Sequence, residues 1–219
     1  MIKNIRNAVY RKILQVCPLR LLKTEISRRQ INDFSQIYTG FLDGKLADKD
    51  TYLNPTSESE VIIGELAQAI RKVADPSYTM LLPGECRSAI KGYSEISGID
   101  HSQILTAGLH EDMDYQWDYE NSPPATLPKV NLIASHAMIE HIIDPYKHVS
   151  DCYNLLKPGG HMIFHTVMPG FQYHRYPVDC FRFFPDWFEE IAKRLDAQIE
   201  SKSISTDAHI VYTFRKPEI

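Results

Sequence analysis

Short apolar runs alternate with amphipathic stretches along the second half of the chain. The apolar runs have the length of buried strands and occupy residues 78–82, 103–107, 130–134 and 161–167. Apolar residues at helical spacing occupy the intervening stretches 86–95 and 145–156. Strands that are apolar throughout and separated by helices predict a mostly parallel sheet that is covered on both faces.

The remaining patterned segments extend this prediction towards both ends. Residues 58–74 and 184–195 have apolar positions at helical spacing, and Ser57 stands at the capping-box distance from Glu60. Two strand-like runs, 197–204 and 208–215, are close together in sequence. Their short connection predicts an antiparallel pair at one edge of the sheet.

The N-terminal region differs from the rest in its charge. Residues 1–38 are predicted to be helical and 39–56 to be a loop, so we divide the chain into a helical basic extension, 1–56, and an α/β domain, 57–219. Residues 1–30 contain eight Lys or Arg residues and one acid. An amphipathic segment of this kind either rests on an anionic membrane or packs against its own domain with a solvated basic face. We expect the second arrangement.

Composition narrows the class of protein. The chain has 219 residues, is 43% hydrophobic and 24% charged, and has a formal net charge of −4, which argues against a nucleic-acid-binding protein. No apolar run has the roughly 20 residues of a membrane span. The four cysteines are far apart and form no CxxC pair. We therefore expect a cytoplasmic protein with free thiols, in contact with a membrane only if the basic N-terminus binds one. Its oligomeric state stays open.

One stretch carries a recognisable motif. Residues 130–168 begin with a predicted strand, which is followed by Glu140-His141 and then by Asp144-Pro145 at the start of a helix. The helix leads into LLKPGG, residues 155–160, and another strand follows. This order resembles the class I S-adenosylmethionine-dependent methyltransferases. The resemblance implies a Rossmann-like fold with a seven-stranded sheet, an antiparallel C-terminal edge and additional N-terminal helices. It also implies S-adenosylmethionine as cofactor.

The resemblance assigns the cofactor side of the site. It places residues 79–91 (TMLLPGECRSAIK) at the first strand and its cofactor loop, with Gly84 and Glu85 as contacts. Ser135 and His136 follow the fourth strand, where ligands collect beyond the carboxyl ends of parallel strands. Asp118 matches the acid near the adenine amino group. The loop contains one glycine, and no acid ends the second strand, so it is either a divergent cofactor loop or a relic.

The resemblance also assigns an acceptor side. The segment 173–184 (YHRYPVDCFRFF) is similar to a loop of methyltransferases that accompany surface-polysaccharide and lipopolysaccharide assembly. It implies the substrate-binding residues His174, Tyr176, Asp179 and Arg182. Aromatic faces and hydrogen-bonding charges suit a sugar. The alternative is a structural role, with the phenylalanines in the core and Asp179–Arg182 as an ion pair.

The catalytic candidates are His141 and Glu140. Histidine is a suitable base for a hydroxyl acceptor at neutral pH, and Glu140 would orient His141 or hold the substrate. The histidines stand at no recognised metal-ligand spacing, so no metal site is expected. The sequence thus predicts an O-methyltransferase that acts on a sugar or glycoconjugate. The alternative is a non-catalytic methyltransferase-fold protein that binds a ligand or partner.

Overall fold

The computed structural model describes residues 64–171, 173–174, 178–205 and 208–218. The predicted helices and loop of residues 1–56 lie outside the described residues, as do the first residues of the helix predicted at 58–74. The boundary that we place between residues 56 and 57 also lies outside them and stays a prediction.

Four helices and seven strands make up the described part. The helices are α1 (Gly64–Val73), α2 (Ile90–Ser97), α3 (Pro145–Leu155) and α4 (Pro185–Arg194). The strands are β1 (Met80–Pro83), β2 (Ile104–Gly108), β3 (Tyr115–Gln116), β4 (Val130–His136), β5 (Leu156–Val167), β6 (Gln198–Ile204) and β7 (His209–Arg215). Short 3₁₀ turns occupy Arg87–Ala89, His101–Gln103 and Ile139–His141.

All seven strands form one sheet in the order β3-β2-β1-β4-β5-β7-β6. β1, β2, β3, β4 and β5 pair in parallel, whereas β7 runs antiparallel to both β5 and β6. The predicted parallel pairing of 130–134 with 161–167 is confirmed, and so is the antiparallel C-terminal edge. The carboxyl ends of the five parallel strands consequently share one edge of the sheet.

Helices cover both faces of the sheet. Val149, Tyr153 and Phe188 of α3 and α4 pack on one face, in a cluster that includes Leu81 of β1. Helices α1 and α2 pack on the other face, in a cluster that contains the neighbouring strand residue Leu82. Successive residues of β1 point to opposite faces, so a strand buried on both sides must be apolar throughout.

Two local features differ from the sequence prediction. Helix α3 ends at Leu155, and LKPGG forms the irregular start of β5, where Gly159 has a φ of 75° and the pairing with β4 shifts register. The two-residue strand β3 was missed because it is too short to show a pattern. The irregular start of β5 lies at the opposite end of that strand from the carboxyl edge, and β3 adds a short strand to the sheet beside β2. Neither feature changes the fold class.

Candidate functional site

Gly84 follows β1 at the carboxyl edge of the sheet. Its φ is 83°, and its amide donates to the carbonyl of Ala107, at 2.9 Å. A Cβ at this position would lie 2.7 Å from the sulfur of Met138, so a side chain has no room here. The single glycine of the loop therefore provides a turn and a close backbone approach that other residues cannot provide.

Glu85 occupies the space between β1 and β4. It is buried, accepts a hydrogen bond from the hydroxyl of Tyr93 at 2.9 Å, and lies 3.1 Å from Nδ1 of His136. The structure thus brings the predicted contacts Glu85 and His136 together. Ser135, the residue before His136, is also buried, and its hydroxyl has no hydrogen-bond partner among the described residues.

A row of histidines continues from His136 across the sheet. The rings of His136 and His165 lie 4.8 Å apart, and His165 Nε2 lies 2.9 Å from Nδ1 of His209. Burial lowers the pKa of His165 to about 2, with the neighbouring histidines acting in the same direction. The imidazole of His165 is therefore neutral over the physiological range, and the row is uncharged at its centre.

Asp114, directly before β3, packs against β2 and was not predicted as part of the site. Asp114 accepts hydrogen bonds from the amide and hydroxyl of Thr106, at 2.9 and 3.0 Å, and pairs with Arg87 of the loop after β1. Burial opposes ionisation, but these contacts outweigh it and lower the pKa of Asp114. No acid was predicted at the end of the second strand, because a chain that folds back on its strand gives no signal in linear spacing.

The segment after β3 divides into a buried and an exposed part. Trp117 is buried against Tyr119 and His148, so it belongs to the core. The hydroxyl of Tyr119 donates to the carbonyl of Ala107 at 2.5 Å and lies against Gly108. Asp118 is exposed, and its carboxylate accepts hydrogen bonds from within its own turn.

A second cluster surrounds Glu140, on the 3₁₀ turn after β4. Glu140 is fully buried, and its Oε2 accepts a hydrogen bond from the hydroxyl of Thr166 at 2.6 Å. Its Oε1 lies 4.0 Å from Nε2 of His141 and 3.8 Å from Nε2 of His174. Burial raises the pKa of Glu140 and lowers the pKa of both histidines.

The loop predicted to bind substrate is fastened to this turn. The amides of Cys180 and Phe181 donate to the carbonyl of Glu140 at 2.9 and 3.2 Å, and Nδ1 of His141 donates to the carbonyl of Val178 at 2.5 Å. These bonds bring the loop after β5 against the turn after β4. Two segments that the sequence separates by more than thirty residues therefore form one site.

Asp179 and Arg182 are paired with each other. The carboxylate of Asp179 is buried, contacts Arg182 with both oxygens, and accepts a hydrogen bond from the amide of His174 at 2.7 Å. The structural ion pair considered from the sequence is present. Of the phenylalanines, Phe183 is in the core, while Phe181 and Phe184 are 39% and 60% exposed beside the loop. Tyr176 lies outside the described residues.

The turn between β4 and Glu140 links the two halves of the edge. Met138 lies over Gly84 and is two residues before Glu140. Ala137, between His136 and Met138, has a positive φ of 45°. The amide of Ala137 donates to the carbonyl of His165 at 2.9 Å. One strained turn thus borders the glycine loop on one side and the histidine–carboxylate cluster on the other.

Comparison with known proteins agrees with this architecture. The profile of a family described as "Methyltransferase domain" matches residues 63–197. The chain therefore belongs to the methyltransferase-domain family, and its fold is that of the S-adenosylmethionine-dependent class I methyltransferases, as the motifs predicted. S-adenosylmethionine is the cofactor of this family.

Individual relatives are more distant. A ubiquinone biosynthesis O-methyltransferase from Alkalilimnicola ehrlichii is 34% identical over 82 residues, which cover 34% of this chain and 33% of that protein. The match thus spans about a third of that relative's length.

Two solved structures show the same fold. A S-adenosylmethionine-dependent methyltransferase from Mesorhizobium loti has 16% identity and a TM-score of 0.53, over 68% of this chain and 96% of that one. The 1,6-didemethyltoxoflavin-N1-methyltransferase of Burkholderia thailandensis, with bound 1,6-didemethyltoxoflavin and S-adenosylhomocysteine, has 12% identity and a TM-score of 0.55, over 84% and 86%.

The residues at the edge fit the cofactor of the family. Gly84 provides a backbone cradle that a Cβ would fill, Glu85 provides a carboxylate, and Ser135 provides a buried hydroxyl that lacks a partner among the described residues. As for membranes, none of the helices in the described ranges combines the length and the apolar character that a membrane span requires.

Proposed function

We propose that the chain is an O-methyltransferase that uses S-adenosylmethionine and acts on a hydroxyl of a sugar or glycoconjugate. The observation that carries this proposal is the convergence of His141, His174 and the buried carboxylate of Glu140 on one point beside the glycine loop. Such a cluster suits an acceptor whose proton must be removed. The relative from Alkalilimnicola, named as an O-methyltransferase, supports transfer to oxygen.

The cofactor would be held by the first half of the edge. We assign Gly84, Glu85, Ser135 and His136 to this role, and Asp118 to a contact on the adenine side. When bound, S-adenosylmethionine supplies a methyl group carried on a sulfonium. The backbone at Gly84 permits close approach, and the carboxylate of Glu85 offers a counter-charge for the amino group or the sulfonium.

The acceptor would be held by the second half. His141 and Glu140 would position the hydroxyl and hold its proton, while the loop of His174, Tyr176, Asp179 and Arg182 would border the sugar. The exposed rings of Phe181 and Phe184 offer faces for stacking on the apolar side of a sugar ring. This assignment of sugars rests on the loop resemblance together with these exposed aromatic faces.

The experiment is a methyl-transfer assay with radiolabelled S-adenosylmethionine. Two panels of acceptors are compared, one of mono- and oligosaccharides and one of phenols, because the Alkalilimnicola relative is named for ubiquinone biosynthesis. We expect label in the sugar panel, in an alkali-stable ether. Label in phenols alone would replace the sugar proposal while leaving O-methyl transfer in place.

A non-catalytic binding protein is the second candidate. The observation that favours it is the occupation of the glycine loop by the chain's own groups: Met138 lies over Gly84, and Arg87 pairs with the acid at the end of β2. Calorimetry with S-adenosylhomocysteine separates the two candidates. Binding in the micromolar range supports the enzyme, and no binding at millimolar ligand would leave only the second candidate.

A further inference from the structure

Three potential ligand atoms face one another beneath the loop after β5. Oε1 of Glu140, Nε2 of His141 and Nε2 of His174 all lie within 4.8 Å of one another. The two imidazole rings are 4.7 Å apart and nearly perpendicular, at 85°. The two nitrogens thus approach the same carboxylate oxygen from different directions.

The carboxylate oxygen at the centre has no hydrogen-bond partner among the described residues. Glu140 is fully buried, and its Oε1 has no hydrogen bond to any part of the chain that the structure describes. The distances to the two imidazole nitrogens, 4.0 and 3.8 Å, are too long for hydrogen bonds. A buried and unpaired polar atom of this kind is costly, so its position needs an explanation.

The outer atoms of two of these side chains are held by hydrogen bonds. Oε2 of Glu140 accepts from Thr166, and Nδ1 of His141 donates to the carbonyl of Val178. Nδ1 of His174 lies 3.6 Å from a carboxylate oxygen of Asp179, which is beyond hydrogen-bond distance. Metal-ligating histidines usually have their second nitrogen directed at a carbonyl or carboxylate, which leaves the first nitrogen for the metal. His141 has this arrangement, and His174 has a carboxylate on the corresponding side.

The charge around the cluster is compatible with a cation. Among the described residues of this loop, Arg182 is a positive group, and its guanidinium is paired with both oxygens of the buried Asp179. That pair has no net charge. Glu140 adds an acidic group to the cluster.

We propose that Glu140, His141 and His174 bind one divalent first-row transition-metal ion, of which Zn²⁺ and Mn²⁺ are the representatives to test. Two imidazole nitrogens and one carboxylate oxygen are a ligand set for such ions. Ligand atoms bound at about 2.1 Å lie roughly 3.4 Å apart in a tetrahedron. The two distances from Oε1 of Glu140, 3.8 and 4.0 Å, and the outer limit of 4.8 Å for the three atoms all exceed this value, so the side chains would draw together around the ion.

Three protein ligands would leave a coordination position of such an ion for another group. The role of the ion rests on the proposed function. An ion here would polarise the acceptor hydroxyl and lower its pKa. Without an ion, the imidazole of His141 would itself accept the proton. Metal binding itself does not depend on that function. Linear spacing does not indicate this set of residues, because His174 lies on a different loop from Glu140 and His141.

The experiment measures metal binding by the full-length chain, purified without a histidine tag and stripped with a chelator. Zn²⁺ and Mn²⁺ are titrated by calorimetry, and Co²⁺ is titrated by visible absorption, which reports nitrogen–oxygen coordination directly. We expect one ion per chain. His174→Gln and His141→Gln should each weaken binding at least 100-fold, since each removes a ligand outright, whereas loss of an outer contact typically costs 10–100-fold.

The controls use the other histidines. His101→Gln, on an exposed 3₁₀ turn, should bind as the parent does. His110→Gln tests a second group of ligand type, Cys86, His110 and Asp112, which is more exposed. Loss of binding in His110→Gln but not in His174→Gln would place the ion there and overturn the proposal. Circular dichroism verifies folding, and His174→Gln, on a loop, decides the matter if other variants unfold.

Failure of this inference and failure of the proposed function give different results. No stoichiometric ion in the parent chain, or equal binding in His174→Gln, rejects the metal site and leaves methyl transfer to be judged by its own assay. Binding at these three residues without any methyl transfer keeps the metal site and rejects the function. Methyl transfer that persists after chelation rejects a part for the ion in the reaction, and the titrations alone then decide the binding site.

Discussion

At the scale of single residues, the surroundings of a side chain determine which substitutions are tolerated. Gly84 has a left-handed φ and a methionine sulfur against its α-carbon, whereas Gly64, at the start of the described part of α1, has nothing within 4 Å of the place where a Cβ would be. The same chemical change therefore has opposite consequences at the two positions. This pair makes a matched test of the cofactor loop.

We expect Gly84→Ala to lower the free energy of unfolding by about 1–3 kcal/mol, because alanine is strained at this φ and contacts Met138. Gly64→Ala should raise it by up to ~1 kcal/mol, since alanine is the better helix former. Urea unfolding measures both. Adding Met138→Ala to Gly84→Ala should recover the part of the loss that is due to the contact. Equal effects at the two glycines would contradict the close packing.

His148 gives a prediction about acid stability. It is fully buried between Trp117 and Tyr119, and burial lowers its pKa to about 3, against 6.5 for an unperturbed histidine. Below pH 6.5 the unfolded chain takes up a proton that the folded chain does not. The stability contributed by the neutral ring is therefore present above pH 6.5 and is lost as the pH falls towards 3.

The expected slope is about 1.4 kcal/mol of unfolding free energy per pH unit between pH 6 and pH 4 for this one group. Urea unfolding at several pH values measures it. His148→Phe should remove this share of the slope, while the exposed control His101→Gln should remove none. A slope in His148→Phe that equals the parent's would show that the ring is protonated in the folded state.

At the scale of elements, the sequence predicted the parts of the fold that are set by apolar periodicity. The apolar runs became β1, β2, β4 and β5, because strands buried on both faces consist mainly of apolar residues. β3 escaped notice because two residues carry no period. The helical stretch was predicted to reach residue 156, but Leu156 has extended geometry and begins β5, and Gly159 accommodates the irregular start of that strand.

The contacts of the candidate site that follow from the order of the parallel strands were also predictable from the sequence. Glu140, His141 and the 173–184 loop were expected to meet because the carboxyl ends of neighbouring parallel strands share an edge. Two contacts were not predicted. One is the approach of His174 to Glu140, and the other is the hydrogen bonding of Asp114 to Thr106 of β2. Both depend on how an irregular loop folds back, and no short-range pattern encodes that.

The loop after β5 gives a prediction for Asp179. Its carboxylate accepts the amide of His174 and binds Arg182 with both oxygens, so it connects the two ends of the loop. Asp179→Ala should increase hydrogen exchange at the Cys180 and Phe181 amides by roughly tenfold or more, which corresponds to about 1.4 kcal/mol. Acceptor affinity should fall with it, and cofactor affinity should not.

Two further variants sharpen this test. Asp179→Asn retains one acceptor oxygen for the His174 amide but loses the charge that faces Arg182, so its effect should be intermediate. Glu190→Ala, on the exposed surface of α4, removes a carboxylate that pairs with Arg194 and should leave the exchange of the loop amides unchanged. Unchanged exchange in Asp179→Ala would mean that backbone bonds to Glu140 hold the loop alone.

At the scale of the whole molecule, one edge of a single sheet supports two groups of residues with different chemistry. The glycine loop and Glu85 lie at the ends of β1 and β4, and the Glu140 cluster lies between the turn after β4 and the loop after β5. We propose the first group as the cofactor side and the second as the acceptor side. A division of this kind should be visible as two separable losses of function.

The last prediction tests that division with one variant on each side. His141→Ala should lower turnover by about 10²–10⁴, the usual cost of losing acid–base assistance at an acceptor, and should change the affinity for S-adenosylhomocysteine less than twofold. Gly84→Val should do the reverse and abolish cofactor binding, because its branched side chain fills the cradle and contacts Met138. Calorimetry and the methyl-transfer assay measure the two properties, with His101→Gln as the control for both. Cofactor binding that survives in Gly84→Val would show that the loop after β1 is not the cofactor loop and is a relic.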